Sequence, residues 1–449
     1  MSASPDGLPL EEVAGWGRHP VGRGRVHRTE HLALPTDGET LIARGLGRAY
    51  GDAALPAEPG GLVVECARAD RILSFDARTG RLSCEAGLSL AEILRVFLPH
   101  GWFPPVTPGT KFVTVGACVA CDVHGKNHHL DGSFGAFVDR IVLITADGRP
   151  VECGPDRERE LFLATVGGMG LTGLIAEVTL RLRRVESPWM VLETMAVDGL
   201  EAMLAGLERA AGWQYSVGWI DCLARGRDLG RGILMRGRHA AAVEVADRRW
   251  PREWRLHVPV NAPEWLLNPL FMRWFNALYY RLHGGELTRR VVSYDRFFYP
   301  LDAVGRWNRL YGRRGFLQYQ CVLPHEAGAG PIAAILDRLG AAGAASFLAV
   351  IKDCGPASDA YLSFPMEGTT LALDLAYRGA ATEELIHGLN ALVIAHGGRI
   401  YLAKDAVTRA EDFARMMPRL PEWRAVRDRW DPAHRFRSAQ SVRLLGDPA

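Results

Sequence analysis

The chain has 449 residues, 48% of them hydrophobic and 23% charged, so it is globular and too long for one ordinary core; two domains are expected. A formal net charge of +2 gives no bulk attraction to nucleic acid. No basic tail, zinc-finger spacing or basic aromatic module appears either, so no nucleic-acid partner is expected.

Eight cysteines are scattered, at 66, 84, 118, 121, 153, 222, 321 and 354, without the pattern of a disulfide framework, which fits a reducing compartment. Cys118-Val-Ala-Cys121 has the spacing of a metal or redox pair, with His124, His128 and His129 close behind. The intervening residues of a structural zinc site are missing, so no metal is expected. Residues 1–7 lack a charged n-region and an apolar h-region, so no ordinary secretory signal is expected. No run of about 18 apolar residues suggests a bilayer span.

In chain order, 30–185 reads as short strands with few helices. Strands are expected at 61–65 and 72–75, and the turn Asp76-Ala-Arg-Thr-Gly80 leads to a hairpin partner at 81–85. Ser89-Leu-Ala-Glu92 is a capping box opening a helix that Gly101 closes. Ile141–Gly148 runs into an Asp-Gly turn, and Val151–Cys153 returns. Val178–Arg183 alternates, so a half-exposed strand is expected.

Character changes near Val185-Glu-Ser-Pro188, a boundary signal, and tryptophans are denser beyond it. The 265–280 segment is apolar almost all round. It reads either as a buried helix or as an apolar flap for a lipid tail or membrane surface. A helix is expected over 332–339, strands over 347–351 and 371–375, and an amphipathic helix through Leu385, Leu389, Leu392 and Val393 that stops at Gly397-Gly398. A restart follows at Arg399. Strands and helices mix without a βαβ rhythm, so the fold class is α+β.

Two glycine clusters raise a Rossmann reading. Gly45–Gly51 is one residue too long for G-x-G-x-x-G. Gly168–Gly173 fits the letters, but a helix precedes it and a strand follows, the reverse of what places a pyrophosphate on a helix N-terminus. Three glycine-rich polar loops remain, 44–52, 107–126 and 167–173. Together they can surround a diphosphate with backbone donors. Within the second, Asp122-Val-His-Gly-Lys-Asn-His-His129 crowds imidazoles, an ammonium and a carboxamide, so it is expected outside the core, as a solvated loop or as the wall of a site for a phosphorylated cofactor.

Ala43–Asp52, the 108–135 run and Ala164–Gly173 resemble the PCMH-type FAD-binding domain of vanillyl-alcohol-oxidase-like flavoproteins. Within that superfamily the chain is similar, nearly end to end, to the decaprenylphosphoryl-β-D-ribose 2′-oxidase family. His-Gly-Lys-Asn-His-His and Tyr401-Leu-Ala-Lys-Asp405 carry the resemblance, with Gly15–Arg18, Phe297–Asp302, Gln318–Gln320, Phe364-Pro365 and Asp431-Pro432.

The resemblance implies an FAD domain built from 1–184 and completed by 399–449, with a substrate domain of antiparallel sheet and helices, 185–398, inserted between. It implies that FAD contacts Ala43, Arg44, Gly45, Leu46, Gly47, Arg48, Ala49, Tyr50, Gly51, Asp52 and Ala53, then Thr114, Val115, Gly116, Ala117, Cys121, Asp122, Val123 and His124. Gly109, Ile175 and Tyr401 would also line the cofactor. Some superfamily members attach flavin to a histidine of the first loop; Arg48 stands there, so non-covalent FAD is expected.

Lys404 and His124 are the expected catalytic residues. Oxidising a secondary alcohol needs its O–H proton taken as the C–H bond breaks, and a desolvated lysine can accept it or, if protonated, stabilise an alkoxide. Lys126, Gln320, Lys352 and Ala372 are the expected substrate contacts. The family's active-site cysteine aligns with Ala372, an asparagine with Thr370, and a glycine with Ala117. The implied reaction is oxidation of the 2′-hydroxyl of a polyprenyl-phosphoryl pentose, with a short-chain dehydrogenase-type reductase partner completing an epimerisation in cell-envelope biosynthesis. A cytoplasmic location is expected, the 265–280 segment offering a peripheral contact with the inner membrane. The alternatives are a soluble alditol or aldonolactone oxidase and a flavin-binding subunit without turnover.

Overall fold

The computed structural model describes residues 7–35, 38–252, 256–263, 269–283, 285, 287–344, 346 and 348–449. The fold is α+β and its main sheets are three. The first has four strands in the order Leu10–Ala14, Val21–Arg28, Leu62–Glu65, Leu41–Arg44, and its pairs with Leu62–Glu65 are parallel. The second is antiparallel throughout, in the order Ile72–Asp76, Arg81–Glu85, Leu174–Arg181, Val138–Ile144, Pro150–Cys153. The third has eight strands, running Thr288–Ser293, Trp189–Val197, Gly232–His239, Tyr215–Ile220, Ala349–Cys354, Gly368–Ala376, Phe316–Leu323, Arg399–Ile400.

Local chemistry explains most element ends. The Ser89 hydroxyl accepts from the Glu92 N–H and opens the helix Leu90–Phe97, whose buried face is Leu90, Ile93, Leu94 and Phe97. Gly101, at φ 80°, ends the turn that follows, because only glycine enters the left-handed region without strain. The helix Ala380–Ala395 ends before Gly397, at φ 70°.

Several expectations need correction. Val178–Arg183 is not half-exposed. Val178, Thr179 and Leu180 are all buried, because Leu174–Arg181 is the central strand of its sheet; the polar Thr179 is satisfied by the Ser83 hydroxyl at 2.8 Å. The second glycine loop is not all loop. Thr114 caps a helix, Val115–Ala120, by accepting from the Ala117 N–H. The expected strand at 347–351 runs instead over Ala349–Cys354, and Phe347 lies outside the described residues.

The 265–280 segment lies partly outside the described residues, at 265–268. Its described part belongs to the helix Pro269–His283. That helix is not buried all round. Met272 and Asn276 face inward, while Leu270, Trp274, Leu278 and Leu282 are exposed at four-residue spacing. The Asn276 amide donates to the Asp221 carboxylate, so a polar anchor holds the inner face. Among the described residues no helix is long and apolar enough to cross a membrane.

Candidate active site

A cavity of about 1360 Å³ opens between the glycine loops and one face of the eight-stranded sheet. The loops contribute Ala43 to Tyr50, Gly109, Thr114, Gly116, Ala117, Cys121 and Val123 to Lys126, and the strand Leu174–Arg181 contributes Ile175. Register explains the sheet's share. Gln320 pairs with Ala372, Lys352 with Thr370, and Gln318 with Asp374, so the pleat sets all six side chains on one face. All but Asp374 line the cavity, as do Tyr401 and Lys404, and Ala53.

Four expected cofactor contacts, Gly51, Asp52, Val115 and Asp122, do not line it. Each has a structural occupation. A Cβ on Gly51 would stand 1.8 Å from the Asp405 carbonyl oxygen, so glycine is needed there for close packing. Asp52 pairs with Arg443 through both its oxygens, at 2.8 and 2.9 Å. Val115 is in the core. Asp122, also fully buried, accepts from the Gly135 N–H and from the Ser363 and Ser358 hydroxyls.

The polar run 122–129 is therefore a correction: much of it is core. Asn127 is buried and donates to the Pro105 carbonyl and the Asp131 carboxylate. His128 is buried beside Ser133, and its Nδ1 accepts from the Gly355 N–H. The His129 ring meets the Trp213 carbonyl. Each of these side chains has a partner, which is what permits its burial. Of this run's cationic and imidazole side chains, only His124 and Lys126 reach the cavity.

His124 is held on three sides. Lys352 Nζ lies 2.5 Å from Nδ1 and also donates to the Gly125 carbonyl. A lysine ammonium has no acceptor, so Nδ1 accepts; the Gln320 side-chain amide lies 3.0 Å from Nε2. The Tyr401 ring closes the third side at 5.2 Å, its hydroxyl donating to the Cys121 carbonyl. Burial, then the neighbouring Lys352, pushes the imidazole well below its usual value, so it is neutral. Burial also lowers Lys352 to about 8 and Lys126 to about 7. The Lys126 ammonium donates to the Phe297 carbonyl and lies 4.6 Å from that ring's centre.

Lys404 sits on a turn just after the last strand of the sheet. That turn is tied to the first glycine loop, because the Tyr50 N–H donates to the Ala403 carbonyl at 2.9 Å. Lys404 Nζ rests 3.8 Å from the centre of the Tyr50 ring. Burial lowers its ammonium to about 8, and the negative charge of Asp374 opposes that shift. Lys404 thus stands on the cavity wall.

The cavity is strongly cationic. Arg44, Arg48, Lys126, Arg296, Lys352 and Lys404 face it, and Asp302 is the single carboxylate among the described lining residues. Arg48 stacks on Trp16 at 3.9 Å and donates to the Phe112 carbonyl. The backbone comes close: a Cβ on Gly45 would stand 2.4 Å from the Thr114 hydroxyl, and Gly47 has φ 63°. A cationic cavity walled by glycine loops fits FAD, whose diphosphate needs cations and unobstructed backbone.

Residues 33–154 match the model of the FAD binding domain family. Decaprenylphosphoryl-β-D-ribose oxidase of Mycolicibacterium smegmatis is 36% identical over 99% of both chains. The chain belongs to the decaprenylphosphoryl-β-D-ribose oxidase family. It is an FAD-dependent oxidoreductase. A Streptomyces coelicolor protein known as the uncharacterized protein in mprA 5′region is 32% identical over 80% of this chain and all of its own. Cytokinin dehydrogenase 7 of rice is 27% identical over 36% of this chain and 33% of its own, so that likeness is partial.

Within this oxidase, sequence reasoning assigned no role to Asp374, Asp302, Trp16 and Arg296. Asp374 carried a signal: a carboxylate inside Leu371-Ala-Leu-Asp-Leu375, an otherwise apolar strand. Asp302 accepts from the Lys111 N–H and the Thr110 hydroxyl, a pairing between residues 192 apart or nearly so that no local pattern announces.

Proposed function

We propose that the enzyme oxidises the 2-hydroxyl of a polyprenyl-phosphoryl pentose to a ketone. The observation that carries the reading is Lys404, half-buried on the wall of a cationic cavity that fits FAD. Bound FAD supplies the hydride acceptor. Lys404, as the neutral amine, takes the hydroxyl proton. His124, held neutral by burial and Lys352, orients the sugar together with Gln320. Lys126 and Lys352 attract the phosphodiester. FAD is non-covalent, since Arg48 occupies the loop position of the attachment histidine. The domain division expected from sequence, 1–184 with 399–449 around 185–398, accompanies this reading.

The lipid tail is supported by one end of the cavity. Leu192, Val217, Trp219, Ile233, Met235 and Leu282 line it there. Each CH₂ buried in such a channel contributes about 0.8 kcal/mol. The exposed Leu278 and Leu282 on the adjoining helix suit a peripheral membrane contact, from which a lipid substrate enters. The keto product is the substrate of a short-chain dehydrogenase-type reductase, which completes the epimerisation. Anaerobic flavin bleaching with phosphoryl-ribose substrates carrying no isoprene, a short prenyl tail and a long one tests the reading. kcat/KM should rise with tail length until the channel fills. A free alditol as best substrate would assign a soluble alditol oxidase instead, and no bleaching with any alcohol a non-catalytic subunit.

A further inference from the structure

Behind Lys404 stands a carboxylate for which the chemistry above gives no role. Asp374 is fully buried in the strand Gly368–Ala376, between Leu373 and Leu375. A buried charge must find partners or be neutralised. One oxygen of Asp374 accepts from the Gln318 amide, the other from the Tyr311 hydroxyl at 3.4 Å. Both donors are neutral. The cation whose charge reaches it is Lys404.

The groups between them are packed together. The Gln318 amide that holds Asp374 also faces Tyr50. The Tyr50 ring carries Lys404 Nζ at 3.8 Å. Phe316 stacks on Tyr311 at 4.2 Å and meets Tyr50 edge-on at 5.5 Å, closing an aromatic wall around them. Gln318 pairs with Asp374 across two adjacent strands, so sheet register fixes the arrangement.

We propose that Asp374 is a positioning residue for Lys404: its carboxylate, through Gln318 and Tyr50, sets the pH at which Lys404 takes up the substrate proton. This rests on the reading of Lys404 as the proton acceptor. In the step, the substrate O–H proton would move to the neutral Nζ while the C–H electron pair leaves as hydride, for which bound FAD would be the acceptor. The sugar becomes a ketone and Lys404 an ammonium. That ammonium forms in a desolvated site, and Asp374, itself raised by burial to about 7 and so charged above that pH, provides its counter-charge. The ammonium later returns its proton to solvent, restoring the amine.

Other titratable groups face the pair. Cys121, from the helix-end loop, is raised to about 12 by burial. Tyr50 and Tyr311 are raised well above their usual value by burial. His124 is driven down. Lys126 and Lys352 titrate near neutrality on the far side of His124, so comparison between variants, not the wild-type profile alone, isolates the pair.

The test uses FAD-loaded protein and sulfite as the probe. Sulfite adds to oxidised flavin and bleaches it, and a cation beside the ring tightens its binding. Sulfite Kd would be measured from pH 6 to pH 10 for wild type, Asp374→Asn, Asp374→Glu, Gln318→Leu and Lys404→Met. Asparagine keeps the shape and the acceptor oxygen but removes the charge. Loss of the opposite charge should move the midpoint down by about one pH unit or more. Gln318→Leu should move it in the same direction, and Asp374→Glu should keep the wild-type midpoint. If Asp374→Asn fails to hold FAD, Gln318→Leu against Asp374→Glu decides alone. An unmoved midpoint in Asp374→Asn or Gln318→Leu, with Lys404→Met flattening the profile, would overturn the role of Asp374. A profile unchanged in Lys404→Met would instead overturn the lysine reading beneath it.

Discussion

Replacing Lys404 by methionine separates chemistry from cofactor binding. The side chain stays unbranched and keeps most of its volume beside Tyr50, but loses the amine. Loss of a general base typically costs about 10²–10⁴-fold, so flavin reduction by substrate should fall by that factor. The pH profile gives a second magnitude. With Lys404 lowered to about 8, its amine fraction grows from about 1% at pH 6 to about half at pH 8. Wild-type reduction should therefore rise nearly tenfold per pH unit over pH 6–7.5 and level off above pH 8, while Lys404→Met should be flat. Stability should move the other way. The folded value lies below the unfolded one, so burying the ammonium is destabilising at pH 7, and that cost is relieved only as pH rises through about 8 towards 10.5. Anaerobic stopped-flow bleaching of the flavin's visible absorption band reads the rate, and the same absorbance reads FAD retention. Reduction by Lys404→Met at the wild-type rate, or a flat wild-type profile, would refute the reasoning.

Three further outcomes are expected. Acid precipitation should release FAD to the supernatant, because Arg48 stacks on Trp16 where covalent relatives have a histidine; a yellow pellet would contradict this. Arg443→Met should cost about 3–5 kcal/mol, because it leaves Asp52 and Asp405 buried without their shared cation. Chemical denaturation would show it, and the deficit should shrink as pH falls, since burial raises Asp52 and protonation removes the unpaired charge. Thiol-directed reagents should leave the strand Gly368–Ala376 unmodified, since Ala372 has no nucleophile and burial keeps Cys121 protonated, its thiol raised to about 12. Ala372→Cys should create an adduct that peptide mapping places on that strand.

Elements fixed by neighbours in sequence were legible in the sequence. The Ser89 cap, the hairpin turn at 76–80, the stop at Gly397 and the reversed context of Gly168–Gly173 depend on residues a few positions apart, and local propensity decides them. The three glycine loops were found because their residue types are unusual for a strand-rich core, and Lys404 through the family resemblance that Tyr401-Leu-Ala-Lys-Asp405 carries. Burial was a different matter. Asp122, Asn127 and His128 look like surface residues, yet they are core, because Ser363, Pro105 and Gly355 arrive from elsewhere in the chain to satisfy them. Gly51 reads as a cofactor glycine but is required by the Asp405 carbonyl, more than 350 residues away. The link from Asp374 to Lys404 exists only because sheet register sets Gln318 opposite Asp374 and a backbone hydrogen bond ties Tyr50 to Ala403. Sequence therefore determined which chemistry the chain carries; the tertiary structure decided which polar groups meet the cavity, because a buried polar group is permitted only where distant partners satisfy it.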